Sequence, residues 1–272
     1  MGTRLEPLEN LGAKVLLTTA LLNQFAEGLV NSMGEFAGEK LMSQIFGKGS
    51  DLDFKQLLKE IEAIVKIANA KQTIKNQSGE INAVHFEATV FYENEKESNP
   101  NNRTSLYNSL EALRSRLNSA LHILMEPECQ KPGISVFITG AEIMLALVEE
   151  MALVDPNHKD YKKTGSYESF KTCIELYSAH VTSTRKEMMT ERLAKVSGVR
   201  RYQRYSSGYL YCGYEYTDSY TGTRHSFPDG KSQAATKAKA EASHREYVDK
   251  LSHKLDWMID VVSAWENASI KA

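Results

Sequence analysis

The chain has 272 residues, of which 42% are hydrophobic, and its 33 Lys and Arg nearly balance 35 Asp and Glu, for a formal charge of −2. This length is enough to bury a substantial core. The balanced charge excludes a protein that binds nucleic acid through bulk electrostatics, which needs a basic excess. We therefore expect a globular protein with no nucleic-acid partner.

The three cysteines, Cys129, Cys173 and Cys212, are odd in number, and none stands in a CxxC spacing. This pattern argues against a disulfide framework and against a zinc site, so we expect neither a metal nor a bound cofactor. The GxSxG, HExxH, Walker A and GxGxxG signatures are also missing from the sequence. Their absence favours a non-enzymatic function.

The first ten residues contain one basic residue, Arg4, and two acidic ones, Glu6 and Glu9. A signal peptide needs a basic start, an apolar run and a small-residue cleavage site. We expect a protein made in the cytoplasm without a Sec signal.

Apolar residues recur at three- and four-residue spacing along much of the chain, which predicts amphipathic helices. Such segments occupy 11–46 and 52–67, and the second pattern continues to about residue 95 with a break near Ser78 and Gly79. A turn at 98–102 ends it, and a further helix follows over 104–125. One side of that helix carries Leu106, Leu110, Leu113, Leu117, Leu121 and Leu124.

The most apolar segment spans 134–154 and follows a turn that contains two prolines. Its length matches a membrane span, but Glu142, Glu149 and Glu150 would be costly in lipid. The pattern favours a helix buried at the centre of a bundle. Its apolar residues include Phe137, Ile143 and Leu147.

A helix predicted over 166–196 leads into a basic segment. Between residues 185 and 204, seven Lys or Arg stand against two Glu. Such a run is usually a solvated surface, and it also suits contact with anionic phospholipid headgroups. The candidate basic surface patch consists of Arg185, Lys186, Arg200, Arg201 and Arg204.

Residues 205–228 combine strand alternation, many tyrosines and a run of turn residues, which predicts one β-hairpin. Alternation puts Leu210 and Cys212 on one face and Tyr209 and Tyr211 on the other. The hairpin has more aromatic surface than a free ribbon should expose, so we expect it to pack on the helices.

These patterns predict a mainly α fold: a multi-helix bundle around a central apolar helix, with one β-hairpin near the C-terminus. The bundle would comprise 11–198 and the hairpin segment 199–230. A C-terminal helix over 231–268 would pack on the bundle, and all three parts would form one structural domain.

Cys212 lies in the sequence YLYCGY at 209–214, where Gly213 leaves room beside the sulfur. Three interpretations are open. It is a small hydrophobe packed in the hairpin, or it carries a thioester-linked fatty acid whose buried methylenes each contribute about 0.8 kcal/mol. The third is a nucleophilic thiol, for which no activating histidine is evident in the sequence.

Several short segments occur in an order typical of a known toxin domain: QIFG at 44–47, FKQLLKEIE at 54–62, NQSGEI at 76–81, FYENEKE at 91–97, NPN at 99–101, LNSAL at 117–121 and LVEEMALVD at 147–155. Over 38–198 this order resembles the N-terminal helical domain of the Cry δ-endotoxins. That family has a helical bundle with a central apolar helix and an apolar hairpin that acts on gut-cell membranes.

The Cry resemblance implies that 134–154 is the central helix and 106–124 its hairpin partner. The candidates for membrane insertion are then Leu106, Leu110, Leu113, Leu117, Phe137, Ile143 and Leu147. The chain is too short for the two β-rich receptor-binding domains of these toxins, so receptor recognition and proteolytic activation do not transfer.

In length, and in lacking a signal peptide and enzyme motifs, the chain is also similar to the Erwinia virulence factor family, which helps bacteria persist in the insect gut. Members carry a fatty acid on a cysteine in their C-terminal part, and Cys212 looks equivalent. The resemblance implies a bacterial virulence factor, made in the bacterial cytoplasm and then released or membrane-associated. It would act on an invertebrate host through membrane lipid or the gut membrane, with palmitate on Cys212.

Two alternatives remain open. A pore-forming insecticidal toxin would insert 106–124 and 134–154 as a helical hairpin, and a thiol enzyme would use Cys212.

Overall fold

The computed structural model describes residues 70–158, 160–230 and 232–271. The helices predicted over 11–46 and 52–67 lie outside the described residues. Within the described ranges the chain is mainly helical and has a small three-stranded antiparallel sheet near the C-terminus. The predicted class, mainly α with a β element near the C-terminus, is confirmed at this level.

The elements follow one another in chain order as α1 Ala70–Phe86, α2 Glu93–Ser98, α3 Arg103–Met125, α4 Ile134–Val154, α5 Gly165–Leu193, β1 Arg200–Ser206, β2 Tyr209–Asp218, β3 Thr223–Pro228, α6 Gln233–Ser252 and α7 Trp257–Lys271. A π-helix, Glu87–Tyr92, joins α1 to α2, and a short 3-10 helix, Tyr161–Lys163, precedes α5. The described chain divides into two compact units, 70–184 with 262–271, and 185–261.

In the first unit, α4 packs against α3 and α1. It is the most apolar helix of the described ranges, and 16 of its 21 residues are buried. The leucine stripe of α3 is buried because leucines at three- and four-residue spacing form one apolar face. Gly140 lets the helices approach closely, since a Cβ there would lie 2.8 Å from Leu121 Cδ2 and 2.9 Å from Ile81 Cδ1.

One acidic side chain of α4 is buried and paired. Glu150 Oε1 accepts hydrogen bonds from the Tyr92 hydroxyl at 2.8 Å and from Lys96 Nζ at 2.7 Å. Burial and the nearby Glu150 charge raise the pKa of Tyr92 well above its ordinary value. Tyr92 is the last residue of the π-helix, which also brings Phe86 and Phe91 into edge-to-face contact, with ring centroids 5.8 Å apart.

The second unit contains the sheet, in the order β1-β2-β3, and α6 packs on β2 and β3. In the layer between them, the buried Tyr216 stacks on His225 with ring centroids 4.5 Å apart. Tyr247 of α6 meets the same Tyr216 ring at 5.9 Å. These aromatic contacts hold the helix to the sheet.

A buried ion pair joins three elements of this unit. Arg192 of α5 donates to both carboxylate oxygens of Asp218, at 3.0 and 2.5 Å, and the Tyr247 hydroxyl donates to the same carboxylate at 2.6 Å. Asp218 is the last residue of β2 and is fully buried. Burial alone would raise the pKa of Asp218, but the hydrogen bonds from Arg192 and Tyr247 outweigh it and lower this pKa to about 2.

Three local predictions differ from the observed elements. The sheet has three strands rather than two, because the basic segment 200–206 forms β1. No break occurs near Ser78 and Gly79, since α1 continues through both residues. The C-terminal helix predicted over 231–268 is two helices, α6 and α7, separated by a turn at 253–256.

The packing of α4 gives a direct test with a control on the same helix. Leu145 is 7% exposed and Leu153 is 37% exposed. We expect Leu145→Asp to prevent stable folding, because an uncompensated buried charge costs about 3–5 kcal/mol. Leu153→Asp makes the same change at an exposed position and should lower the melting temperature only slightly. Circular dichroism melts compare the two, and similar melting temperatures would contradict this packing.

Glu142 of α4 gives a pH-dependent prediction. Desolvation raises the pKa of Glu142 from 4.5 to about 7. Between these values the native state holds a proton that the unfolded state has released, so stability falls as pH rises through this window. Glu142→Gln should therefore raise the melting temperature above pH 7, where it adds about 3 kcal/mol of stability, and leave it nearly unchanged below pH 4.5.

The control for this measurement is Glu128→Gln, which removes a carboxyl at an exposed position. It should shift the melting temperature little at either pH. If Glu142→Gln raised the melting temperature by the same amount below pH 4.5 and above pH 7, the Glu142 carboxyl of the wild type would not titrate in this window.

Candidate functional site

β1 and β2 form a hairpin with a two-residue turn, Ser207 and Gly208. Both residues have positive φ, 53° and 80°, as the type I′ turn requires. This turn matches the twist of the strands, and the pairing stays in register as far as Ser206 and Tyr209. The hairpin is therefore regular to its end.

Four large side chains surround this turn, and we call them the hairpin tip: Tyr205, Tyr209, Leu210 and Tyr211. Their exposed fractions are 80%, 70%, 48% and 52%. The expectation that this aromatic surface packs on the helices is wrong for these residues. The register gives the reason. β3 pairs with β2 only from Gly213 onward, so the tip lies beyond the part of β2 that β3 covers.

The two faces of the hairpin differ in chemistry. Strand alternation and the pairing register put Leu210 and Cys212 on the face that carries Tyr216 and lies against α6. Tyr209 and Tyr211 lie on the opposite face. This division agrees with the alternation in the sequence.

The face of the sheet that carries Tyr209 and Tyr211 also carries three arginines, Arg200, Arg204 and Arg224, around Glu215. We call this group of four residues the arginine face. Arg200 Nη2 lies 3.2 Å from Glu215 Oε1, Arg204 Nη2 contacts Oε2, and Arg224 Nε lies 3.8 Å from Oε2. Arg204 also lies over the Tyr202 ring, 4.5 Å from its centroid. Three cations around one carboxylate leave a local surplus of two positive charges.

Only part of the predicted basic patch belongs to this face. Arg200 and Arg204 do, whereas Arg201 points to the other face of the sheet and lies 3.4 Å from Asp229. Arg224 was missed because it stands alone in the sequence, in a strand that follows the basic run. Only the strand register brings it to Glu215.

Arg185 and Lys186 lie on α5, away from the strands in sequence. Arg185 pairs with Asp256 and donates to the Leu255 carbonyl oxygen at 3.0 Å. This contact stabilises the turn between α6 and α7, so Arg185 has a structural role. Lys186 is exposed.

Cys212 is a half-buried free thiol. The room that the sequence suggested beside Gly213 is filled, because a Cβ at Gly213 would lie 2.3 Å from the Phe227 carbonyl oxygen and 2.9 Å from the Tyr202 ring. Gly213 lets β3 and Tyr202 approach β2 closely. It does not open a path to the sulfur.

The seven candidates for membrane insertion lie in the first unit, and each is no more than 6% exposed: Leu106, Leu110, Leu113, Leu117, Phe137, Ile143 and Leu147. Their apolar surface is already used in packing, so insertion would require α3 and α4 to leave the core. None of the helices within the described ranges has the length and apolar character needed to cross a bilayer.

In the part of the chain that the structure describes, no three His, Cys, Asp or Glu side chains are grouped so as to hold a metal ion. Comparison with known families and with curated proteins finds no match to this chain. The hairpin tip and the arginine face are the two surfaces of the second unit whose chemistry suits binding to another molecule.

Proposed function

We propose that this chain is a non-enzymatic bacterial virulence factor that associates peripherally with membranes of an invertebrate host, through the hairpin tip. The observation that carries the proposal is the exposure of three tyrosines and a leucine at the end of a regular hairpin. The likeness to the Erwinia virulence factor family supports the biological setting. The likeness to the Cry helical domain supports a bundle in which α4 is the central helix.

The chemistry of the hairpin tip suits a membrane interface. A tyrosine ring has an apolar body and a polar hydroxyl, and this combination is enriched where hydrocarbon meets headgroups. In water the same four side chains leave apolar surface exposed on both faces at the end of the hairpin. At about 25 cal/mol per Å², burying most of it in a bilayer contributes several kcal/mol.

The turn makes this binding efficient. Ser207 and Gly208 fix the two strands in a type I′ geometry, so the tip is already arranged before it meets the membrane. Little conformational entropy is then lost on binding, which leaves more of the apolar gain as affinity.

We propose that Cys212 carries a thioester-linked palmitate. A single acyl chain gives only marginal, reversible membrane binding, and stable anchoring takes a second signal. Cys212 lies on the same strand as Leu210 and Tyr211, so the acyl chain and the tip would act as two anchors on one hairpin. Cys212 is half-buried and not fully enclosed, which is compatible with acylation of its thiol.

The membrane proposal is tested by sedimentation with liposomes. The tip variant Tyr205→Ser/Tyr209→Ser/Tyr211→Ser should bind at least about tenfold more weakly than wild type, because it loses most of the exposed apolar surface. Its control is Phe86→Ser/Phe91→Ser, which removes two exposed aromatic rings from the first unit. The control should bind like wild type.

Entrapped dye separates this mechanism from the alternatives. A peripheral protein should bind liposomes and leave them sealed, whereas efficient dye release at neutral pH would favour the pore-forming toxin. Unchanged binding by the tip variant would refute the role of the hairpin tip.

The acylation proposal is tested by the intact mass of protein isolated from its native bacterium. Wild type should show an added mass equal to one palmitoyl group, and Cys212→Ser should lose it while keeping the same helical content. Cys173→Ser is the matched control, since Cys173 is also a half-buried free cysteine, and it should keep the added mass. An unmodified wild-type mass would make Cys212 a packing residue.

A further inference from the structure

The arginine face is arranged with its carboxylate inside and its cations outside. The Glu215 side chain is 4% exposed, whereas Arg200, Arg204 and Arg224 are 62%, 42% and 52% exposed. In the three strands the only other carboxylate is Asp218, which is buried and paired with Arg192. The outer surface of this face is therefore cationic.

The Glu215 carboxylate cannot accept hydrogen bonds from all the arginine N–H groups around it. Each guanidinium has five N–H donors, so three have about fifteen, whereas a carboxylate accepts at about four positions. Most of the donors of the arginine face therefore point to solvent. A guanidinium binds phosphate oxygens well, because its planar fork can donate two parallel hydrogen bonds.

We propose that the arginine face binds the phosphate of anionic phospholipid headgroups, with Glu215 holding the three guanidinium groups in position. This inference rests on the proposed membrane function and adds lipid selectivity to it. Tyr209 and Tyr211 lie on the same face of the hairpin, and Arg204 is directly opposite Tyr211 in the register. When the tip enters the interface and the sheet tilts onto this face, the guanidinium groups reach the headgroups.

The overall charge of the chain supports a local site over general attraction. At a formal charge of −2, the whole protein is not drawn to an anionic surface. Selective binding must then come from a patch where positive charge is concentrated, and attraction of this kind contributes about 1 kcal/mol per basic residue near the membrane.

The test compares sedimentation with vesicles of phosphatidylcholine alone and of phosphatidylcholine mixed with phosphatidylserine. Wild type should bind the mixed vesicles more tightly, and added salt should weaken this preference. Arg204→Gln and Arg224→Gln should each weaken binding to mixed vesicles about fivefold. Binding to phosphatidylcholine alone should fall much less, because the choline ammonium neutralises each headgroup phosphate and the tip, which anchors the protein to neutral vesicles, is intact.

Arg201→Gln is the matched control, because it removes the same charge from the same strand on the opposite face. It should leave the preference for mixed vesicles unchanged. Arg224→Lys keeps the charge but loses the planar fork, so it should retain only part of the preference. Thermal melts of each variant verify the fold, and Arg224, whose pair with Glu215 is the longest of the three, is the safest position to change.

Several results would overturn the inference. Equal binding of wild type to both vesicles would do so while leaving the hairpin tip as the membrane anchor. Equal losses in Arg201→Gln and Arg204→Gln would show that net charge, not this face, sets the preference. Binding to neither vesicle would defeat the proposed function as well. Tight binding to a single-stranded oligonucleotide that Arg204→Gln abolishes would assign the face to nucleic acid instead.

Discussion

The buried carboxylate of Asp218 is the contact on which the second unit depends. It joins the end of α5 through Arg192, the end of β2 through its own backbone, and α6 through Tyr247. The Tyr220 amide also donates to it at 3.0 Å. With all these donors the charge is compensated, and with any one missing it would be a buried charge with an incomplete shell. Because β2 is held at this end, its other end can project from the sheet as the hairpin tip.

Two arginine–carboxylate arrangements in this unit have opposite consequences. Arg192 and Asp218 are one cation and one anion, both buried, and the pair is electrically neutral. Around Glu215 the anion is buried but three cations stay in contact with water. The first arrangement uses its charges entirely in holding elements together. The second leaves charge and hydrogen-bond donors available to a ligand.

The sequence predicts the helices of the first unit well, since α3 and α4 have strong apolar periodicity and end at clear turns. Both bounds of α4, Ile134–Val154, agree with the prediction. β1 was not predicted, because its arginines suggest a solvated charge run more strongly than its alternation suggests a strand. The site was predicted only in part for a similar reason. Leu210 and Tyr216 lie on the same face of β2, and only the extent of β3 and α6 makes the first exposed and the second buried.

The π-helix, Glu87–Tyr92, makes this stretch sensitive to the number of residues in it. In a regular α-helix, residues five apart such as Phe86 and Phe91 point roughly 140° away from each other, yet here their rings touch. The wide turn accommodates one more residue than an α-helical turn would. A deletion of one residue within this turn would let it close into a regular α-helix and leave the segments on either side in the same orientation, whereas an insertion of one residue would rotate one segment relative to the other by roughly 100°. After an insertion, Tyr92 could no longer meet Glu150 while α1 kept its own contacts, so this turn should tolerate a deletion better than an insertion.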